Sequence, residues 1–293
     1  MKEEFFDFIR NSCIESMTYE VMAAPKPGLV DRFNSGAHKD MDIFTFIDSI
    51  MSLRNYFYDI TKLGFEFNKE DYRLLMEGIR PLGIEAEKSM FKASNGVNTH
   101  KGLIFLMGIM AAGSGNLYGR SMDISPENIS LVTKKMTRGI SEELQKPGQV
   151  DKLTYGERIF KEYNILGIRG EVEEGLPTVI NVSLPVYTKL MEDPKITHNA
   201  AMVHTLLHLI SLVDDINILG RHGMDTLDYV RKRAKQALQF GGYLTTKGKN
   251  YVKYMDMDFI DRHISPGGAA DLLAVTILLY LLREEVRLNG KKK

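Results

Sequence analysis

The chain carries one cysteine, Cys13, and no tryptophan in 293 residues. A lone thiol forms neither an intramolecular disulfide nor a cysteine-based zinc site, and a reducing cytoplasm is the expected setting. Net charge is missing as well, with 38 basic side chains against 38 acidic ones. That balance excludes bulk attraction to nucleic acid or to a membrane surface. Any grip on phosphate has to come from locally placed lysines and arginines. Long hydrophobic runs are absent too. The two most apolar stretches, residues 102–113 and 272–282, fall well short of the roughly 20 residues that cross a bilayer, and read as buried helices. The opening MKEEFFDFIR is acidic and amphipathic, not basic then apolar as a secretory signal would be. Alternation of β-branched residues is nearly lacking; PTVINVSLP, residues 177–185, is the best strand candidate.

What is present is helical spacing. Phe5, Ile9, Cys13 and Met17 recur every fourth residue, and Ile43, Phe46, Ile47, Ile50 and Phe57 follow the same pattern. Ile129, Val132, Met136, Ile140 and Leu144 form another stripe, with Ser125-Pro126-Glu127 as its capped start. Val203, Leu206, Leu207, Ile210 and Val213 lead into DDIN, and a stripe from Leu227 to Leu238 stops at Gly241-Gly242. No low-complexity linker interrupts the chain. The spacing predicts an all-α protein of ten or more helices, one globular domain over residues 1–293, with a frayed lysine-rich end.

Glycines and charges gather at five helix junctions: APKPGLVDRFNSGAHKDM (24–41), SNGVNTHKG (94–102), GIRGEVEEGLP (167–177), DDINILGRHG (214–223) and SPGGAADLLA (265–274). Loops on a rigid scaffold are where binding groups concentrate, so the active site is expected at these junctions. In the first, Lys26, Arg32 and Lys39 suit phosphates, while Asp40 suits a metal or, like Asp42, a helix cap. In the second, a helix start and Lys101 favour an anion, while His100, as a lone histidine, is more often a satisfied structural residue than a catalytic one. In the third, Arg169 and Glu171 read as a local pair. The glycines around them, each costing about 0.5–1 kcal/mol in a regular element, point to a close backbone approach.

The fourth junction is chemically the sharpest. Asp214 and Asp215 end an apolar stripe, with Asn217 just beyond. Adjacent carboxylates repel unless a cation compensates, and a few hard oxygens are what Mg²⁺ uses when phosphates complete its shell. Arg221 and His222 could face the same phosphates. In the fifth, Gly267 and Gly268 let backbone approach a ligand, and Asp271 is either a helix-start acid or a functional carboxylate.

Taken in order, the five junctions resemble the triphosphoribosyl-dephospho-CoA synthase family from Glu20 to Ala274. The resemblance implies an all-α enzyme joining ATP to 3′-dephospho-CoA. The 2′-hydroxyl of the dephospho-CoA ribose attacks the anomeric carbon of ATP's ribose, and adenine leaves. The implied product, 2′-(5″-triphosphoribosyl)-3′-dephospho-CoA, is a prosthetic-group precursor for the acyl carrier protein of citrate lyase or malonate decarboxylase. Where the family commonly reads Asp-Thr-Asn, this chain has Asp215-Ile216-Asn217, losing a hydroxyl and keeping both flanking oxygen donors.

Such chemistry builds positive charge on a ribose ring, as in glycoside hydrolysis. The expected Mg²⁺ ligands are Asp214, Asp215 and Asn217, with Asp40 a further candidate. Lys26, Arg32, Lys39, Lys101, Arg169 and Arg221, with the backbone at Gly267 and Gly268, form the nucleotide-binding pool. Glu171 is the first choice for general base and Asp271 the second. His38 or His100 would assist the departing adenine. Two other classes compete: a Mg²⁺-dependent nucleotide or ADP-ribosyl hydrolase, and a helical ATP-binding regulator. The expected partners are small nucleotides, with no nucleic acid and no membrane; a homo-oligomer stays open.

Overall fold

The stripe of Ile9, Cys13 and Met17 becomes the buried face of α1, Lys2–Met22. The computed structural model describes residues 2–144, 153 and 155–290, with side chains as far as residue 285. Of the lysine-rich end expected to fray, Lys291–Lys293 lie outside the described residues. Thirteen further α-helices follow: α2 Ile43–Ser52, α3 Arg54–Glu66, α4 Arg73–Ala93, α5 Lys101–Gly119, α6 Pro126–Met136, α7 Tyr155–Tyr163, α8 Ile168–Glu173, α9 Leu184–Met191, α10 His198–Ile210, α11 Ile216–His222, α12 Met224–Gln239, α13 Thr246–Asp261 and α14 Gly267–Gly290. No strand occurs among the described residues. The all-α expectation holds. The strand candidate is helical instead: Val179–Ser183 form a π turn that runs directly into α9.

Local chemistry sets the helix limits. Ser125 Oγ accepts the Asn128 N–H at the start of α6, as its Ser-Pro-Glu sequence predicts. Asp42 rather than Asp40 caps α2, in a reciprocal box with Thr45. The second predicted stripe is divided at Leu53 into α2 and α3.

Two central helices position the site. On α5, glycines replace side chains along the seam with α3, so that the backbones touch. A Cβ on Gly115 would lie 2.1 Å from the Thr61 carbonyl oxygen, and one on Gly64 would lie 2.0 Å from that of Ala112. α5 is longer than its apolar run suggested, at 19 residues, and by length and composition alone could cross a membrane; 78% of its apolar window is buried inside the fold. α14 packs on α1, α5, α9, α10 and α11, and its residues Leu272–Leu279 are all buried. One hydrophobic cluster runs from Ile9 to Leu282. The N-terminal ends of α5 and α14 thus emerge from the core beside each other.

Candidate active site

Four of the five junctions meet at those two helix starts. They enclose a cleft of about 140 Å³. Its lining comes from the loop between α1 and α2 (Lys26, His38), the start of α5 (His100, Lys101, Gly102), α11 (Asn217, Arg221) and the start of α14 (Gly267, Asp271). Glu20, from the last turn of α1, completes it.

The inner end is acidic. Glu20 and Lys26 form a buried ion pair, 2% and 1% exposed. Burial pushes the Glu20 carboxyl up, and Lys26 opposes that shift. Asp31 fixes the loop that delivers Lys26, accepting the Lys26 N–H at 3.0 Å and the Phe33 N–H at 2.7 Å. Asp271 is different, because no hydrogen bond reaches its carboxylate among the described residues. Burial raises its pKa well above the usual carboxylate range, and the charges of Glu20 and Asp215 add to the shift. Gly102 makes room for it: a Cβ there would lie 2.1 Å from Asp271 Oδ2. A half-buried carboxyl with no partner costs stability, so its persistence in a cleft marks a site built for something other than packing.

The two histidines differ. His38 Nε2 is 2.9 Å from Ser265 Oγ, and burial together with Arg221 lowers its pKa. His100 is 2% exposed; its Nδ1 lies 2.7 Å from Ser49 Oγ, and its Nε2 is buried without a partner. Burial, with Lys26 nearby, pushes its pKa down to about 3, so the ring is neutral. At the rim, Asn98 Oδ1 accepts the Lys101 N–H, the Lys101 ammonium pairs with Glu87 at 2.9 Å, and Arg221 is exposed.

Several expected residues stand elsewhere. Arg32 donates to the Met22 carbonyl and Asn199 Oδ1, which ties down the outside of the loop. Lys39 and Asp40 are exposed beyond the lining, and the third junction, with Arg169 half-buried, also lies outside it. Glu171 accepts from the Thr178 N–H at 2.8 Å and the Thr178 hydroxyl at 2.9 Å, so it braces the turn after α8 instead of facing the cleft. The third junction's glycines approach protein: Gly167 packs on Ile216, which explains why an apolar residue suits position 216.

The paired aspartates diverge. Asp214 reaches outward to Arg231 at 2.5 Å. Asp215 is 2% exposed and saturated: Oδ1 accepts from Asn217 and Ile218 N–H, Oδ2 from Gly268 and Ala269 N–H. It caps α11 and α14 together. Gly268 therefore receives Asp215 rather than a ligand. Of the four expected metal ligands only Asn217 lines the cleft, and no three His, Cys, Asp or Glu side chains converge on a metal position among the described residues. A protein-held Mg²⁺ does not fit this set.

Two residues of the site escaped the sequence reading. Glu20 falls on the buried stripe of α1, three residues after Met17, and Ser49 lies between Phe46 and Ile50 on the inward face of α2. In each case the signal was a polar residue on an apolar face.

Comparison with known proteins decides the class. The sequence profile of the family described as CitG, ATP:dephospho-CoA triphosphoribosyl transferase, matches residues 7–290. The chain belongs to this family. It is a triphosphoribosyl-dephospho-CoA synthase, forming its product from ATP and dephospho-CoA. A protein of Vibrio cholerae serotype O1 (strain M66-2), named "Probable 2-(5''-triphosphoribosyl)-3'-dephosphocoenzyme-A synthase", is 38% identical over 268 residues, covering 91% of this chain and 85% of its own length. A protein of the same name from Citrobacter koseri (strain ATCC BAA-895 / CDC 4225-83 / SGSC4696) is 38% identical over 279 residues, 94% of this chain and 90% of its own. No solved structure matches.

Proposed function

We propose that the cleft between α1, α5, α11 and α14 is where the triphosphoribosyl transfer takes place. The observation that carries this reading is Asp271, half-buried in the cleft wall between two helix starts, without a hydrogen-bond partner and held above its usual pKa. The 2′-hydroxyl of dephospho-CoA loses its proton to Asp271 as its oxygen bonds to the anomeric carbon of ATP. A base whose pKa is raised toward the working pH accepts that proton more readily. Before it takes that proton, the ionised Asp271 gives the inner end a local negative field, while Glu20 is balanced by Lys26. That field favours the positive charge developing on the ribose ring.

The triphosphate, which brings its Mg²⁺ as part of the substrate, extends outward to Lys101 and Arg221 at the rim. The enclosed volume of about 140 Å³ is below the roughly 300–1,000 Å³ of ordinary ligand pockets. The cleft therefore holds the reacting sugar, and the phosphates and the dephospho-CoA arm lie outside it. Once formed, the product serves as prosthetic-group precursor for an acyl carrier protein.

The test is adenine release from ATP, with and without dephospho-CoA, followed by mass analysis. Wild type should release adenine only with the acceptor, and the adduct should carry all three phosphates. Asp271→Asn should lower turnover by about 10²–10⁴. Unchanged turnover in that variant would move the reaction to another part of the molecule.

A further inference from the structure

The His100 ring has one nitrogen fixed and one free. Thr99 Oγ1 donates to Ser49 Oγ at 2.7 Å. The Ser49 hydroxyl, accepting there, has its own hydrogen to give, and 2.7 Å away is His100 Nδ1. A neutral imidazole carries one hydrogen, so a ring that accepts at Nδ1 bears it on Nε2. In that tautomer Nε2 is a buried donor, and the atom has no partner in the protein, although His100 lines the cleft. Phe46 meets the ring edge-on at 4.9 Å and prevents it from turning freely. Buried donors are nearly always satisfied, and an orphan in a cleft wall is a place kept for a ligand acceptor.

We propose that His100 Nε2–H is the hydrogen-bond donor to a ring nitrogen of the departing adenine, and that Ser49 is the positioning residue that keeps the hydrogen on Nε2. The proposal rests on the cleft being the active site. In the transfer, the bond from the acceptor oxygen to the anomeric carbon forms as the bond from that carbon to the adenine nitrogen breaks. The bonding pair passes into the purine, where His100 stabilises the growing negative charge by hydrogen bonding and keeps its own hydrogen. The hydroxyl's proton goes to Asp271, which passes it to solvent, and the departing adenine takes one proton from solvent, so the balance closes. With a pKa of about 3, His100 has no imidazolium proton to give near neutrality; it acts as a fixed dipole. His38 is the weaker choice, because its Nε2 is engaged by Ser265.

The experiment pairs side-chain variants with base analogues. His100→Asn should lower kcat with ATP by about 10²–10³, the usual effect of removing one transition-state donor. His100→Gln, whose amide nitrogen reaches nearer the Nε2 position, should retain more activity than His100→Asn. With whichever of 7-deaza-ATP or 3-deaza-ATP lacks the recognised nitrogen, wild type and His100→Asn should react at the same slow rate. Ser49→Ala should lower kcat with little change in KM, and imidazole ¹⁵N NMR of His100 should show the hydrogen shared between the nitrogens instead of held on Nε2. An equal His100→Asn penalty with ATP and both analogues would overturn the proposal, as would an unchanged tautomer in Ser49→Ala. Full activity in both His100→Asn and Asp271→Asn would instead remove the cleft itself as the active site.

Discussion

Gly102→Ala separates the chemistry of the cleft from its folding. Gly102 occupies the first turn of α5 with ordinary helical backbone, and alanine is favoured over glycine by up to about 1 kcal/mol in a helix interior. The new methyl would meet Asp271 Oδ2 at 2.1 Å, whereas ordinary van der Waals contact begins at 3.4 Å. The next atom, Asp271 Cγ, is at 3.2 Å, a few tenths of an ångström too tight, and belongs to the same side chain. The clash therefore falls on the end of one side chain, which swings aside by more than an ångström while the backbone stays. Displacing a reacting group by about 1 Å costs on the order of 10²-fold in rate, or about 2.7 kcal/mol of barrier. The expected variant has an unchanged or slightly raised Tm, an ATP KM close to wild type and a kcat about 100-fold lower in the adenine-release assay. A wild-type kcat in Gly102→Ala would refute the role given to Asp271.

Other outcomes follow from the same geometry. The acid limb of the kcat profile should follow Asp271, with turnover falling as pH drops through its raised pKa, because the base must be ionised. Between the ordinary and the raised value the folded chain holds a proton that the unfolded chain has released, so stability falls as pH rises through that window. Asp271→Asn should therefore gain in Tm over wild type at about pH 8 relative to about pH 4, and a constant difference would show that the carboxyl titrates normally. Asp215→Ala removes two helix caps and should destabilise by roughly 1–4 kcal/mol in urea unfolding, whereas Asp214→Asn, in an exposed pair with Arg231, should keep wild-type stability within about 1 kcal/mol and near-normal turnover. Glu171→Ala breaks both contacts to Thr178 and should lose roughly 1–3 kcal/mol of stability with turnover largely kept; a collapse of kcat at unchanged Tm would return it to the chemistry.

Helix content and the convergence of junctions were legible because both depend on short-range pattern. Apolar spacing marks helix faces, and glycine beside charge marks where backbone leaves the core. Direction was harder to read. Asp214 and Asp215 are neighbours in sequence, yet they lie in the non-helical stretch before α11, where Asp215 is extended and successive side chains point to opposite sides. One pairs with α12 while the other turns into two helix starts. Glu171 was hidden by the ordinary-looking Thr178, seven residues on, whose backbone N–H and hydroxyl both point back at it. Glu20 and Ser49 show the converse, because a polar residue on a buried stripe acquires meaning only when its partner from another helix is known.

The double cap at Asp215 has a mechanical consequence. Because a single carboxylate joins the starts of α11 and α14, Asn217, Arg221 and Asp271 belong to one stiff jaw. The opposing jaw is the loop between α1 and α2, latched by His38 to Ser265 at 2.9 Å and by the Gly28 N–H to Asp256 at 3.0 Å. Two bulky nucleotides have to reach an interior with little spare room, so widening falls to the loop. Its latch closes on Ser265, just before α14 begins at Gly267, which ties the loop's point of attachment to the same helix start that carries the proposed base Asp271.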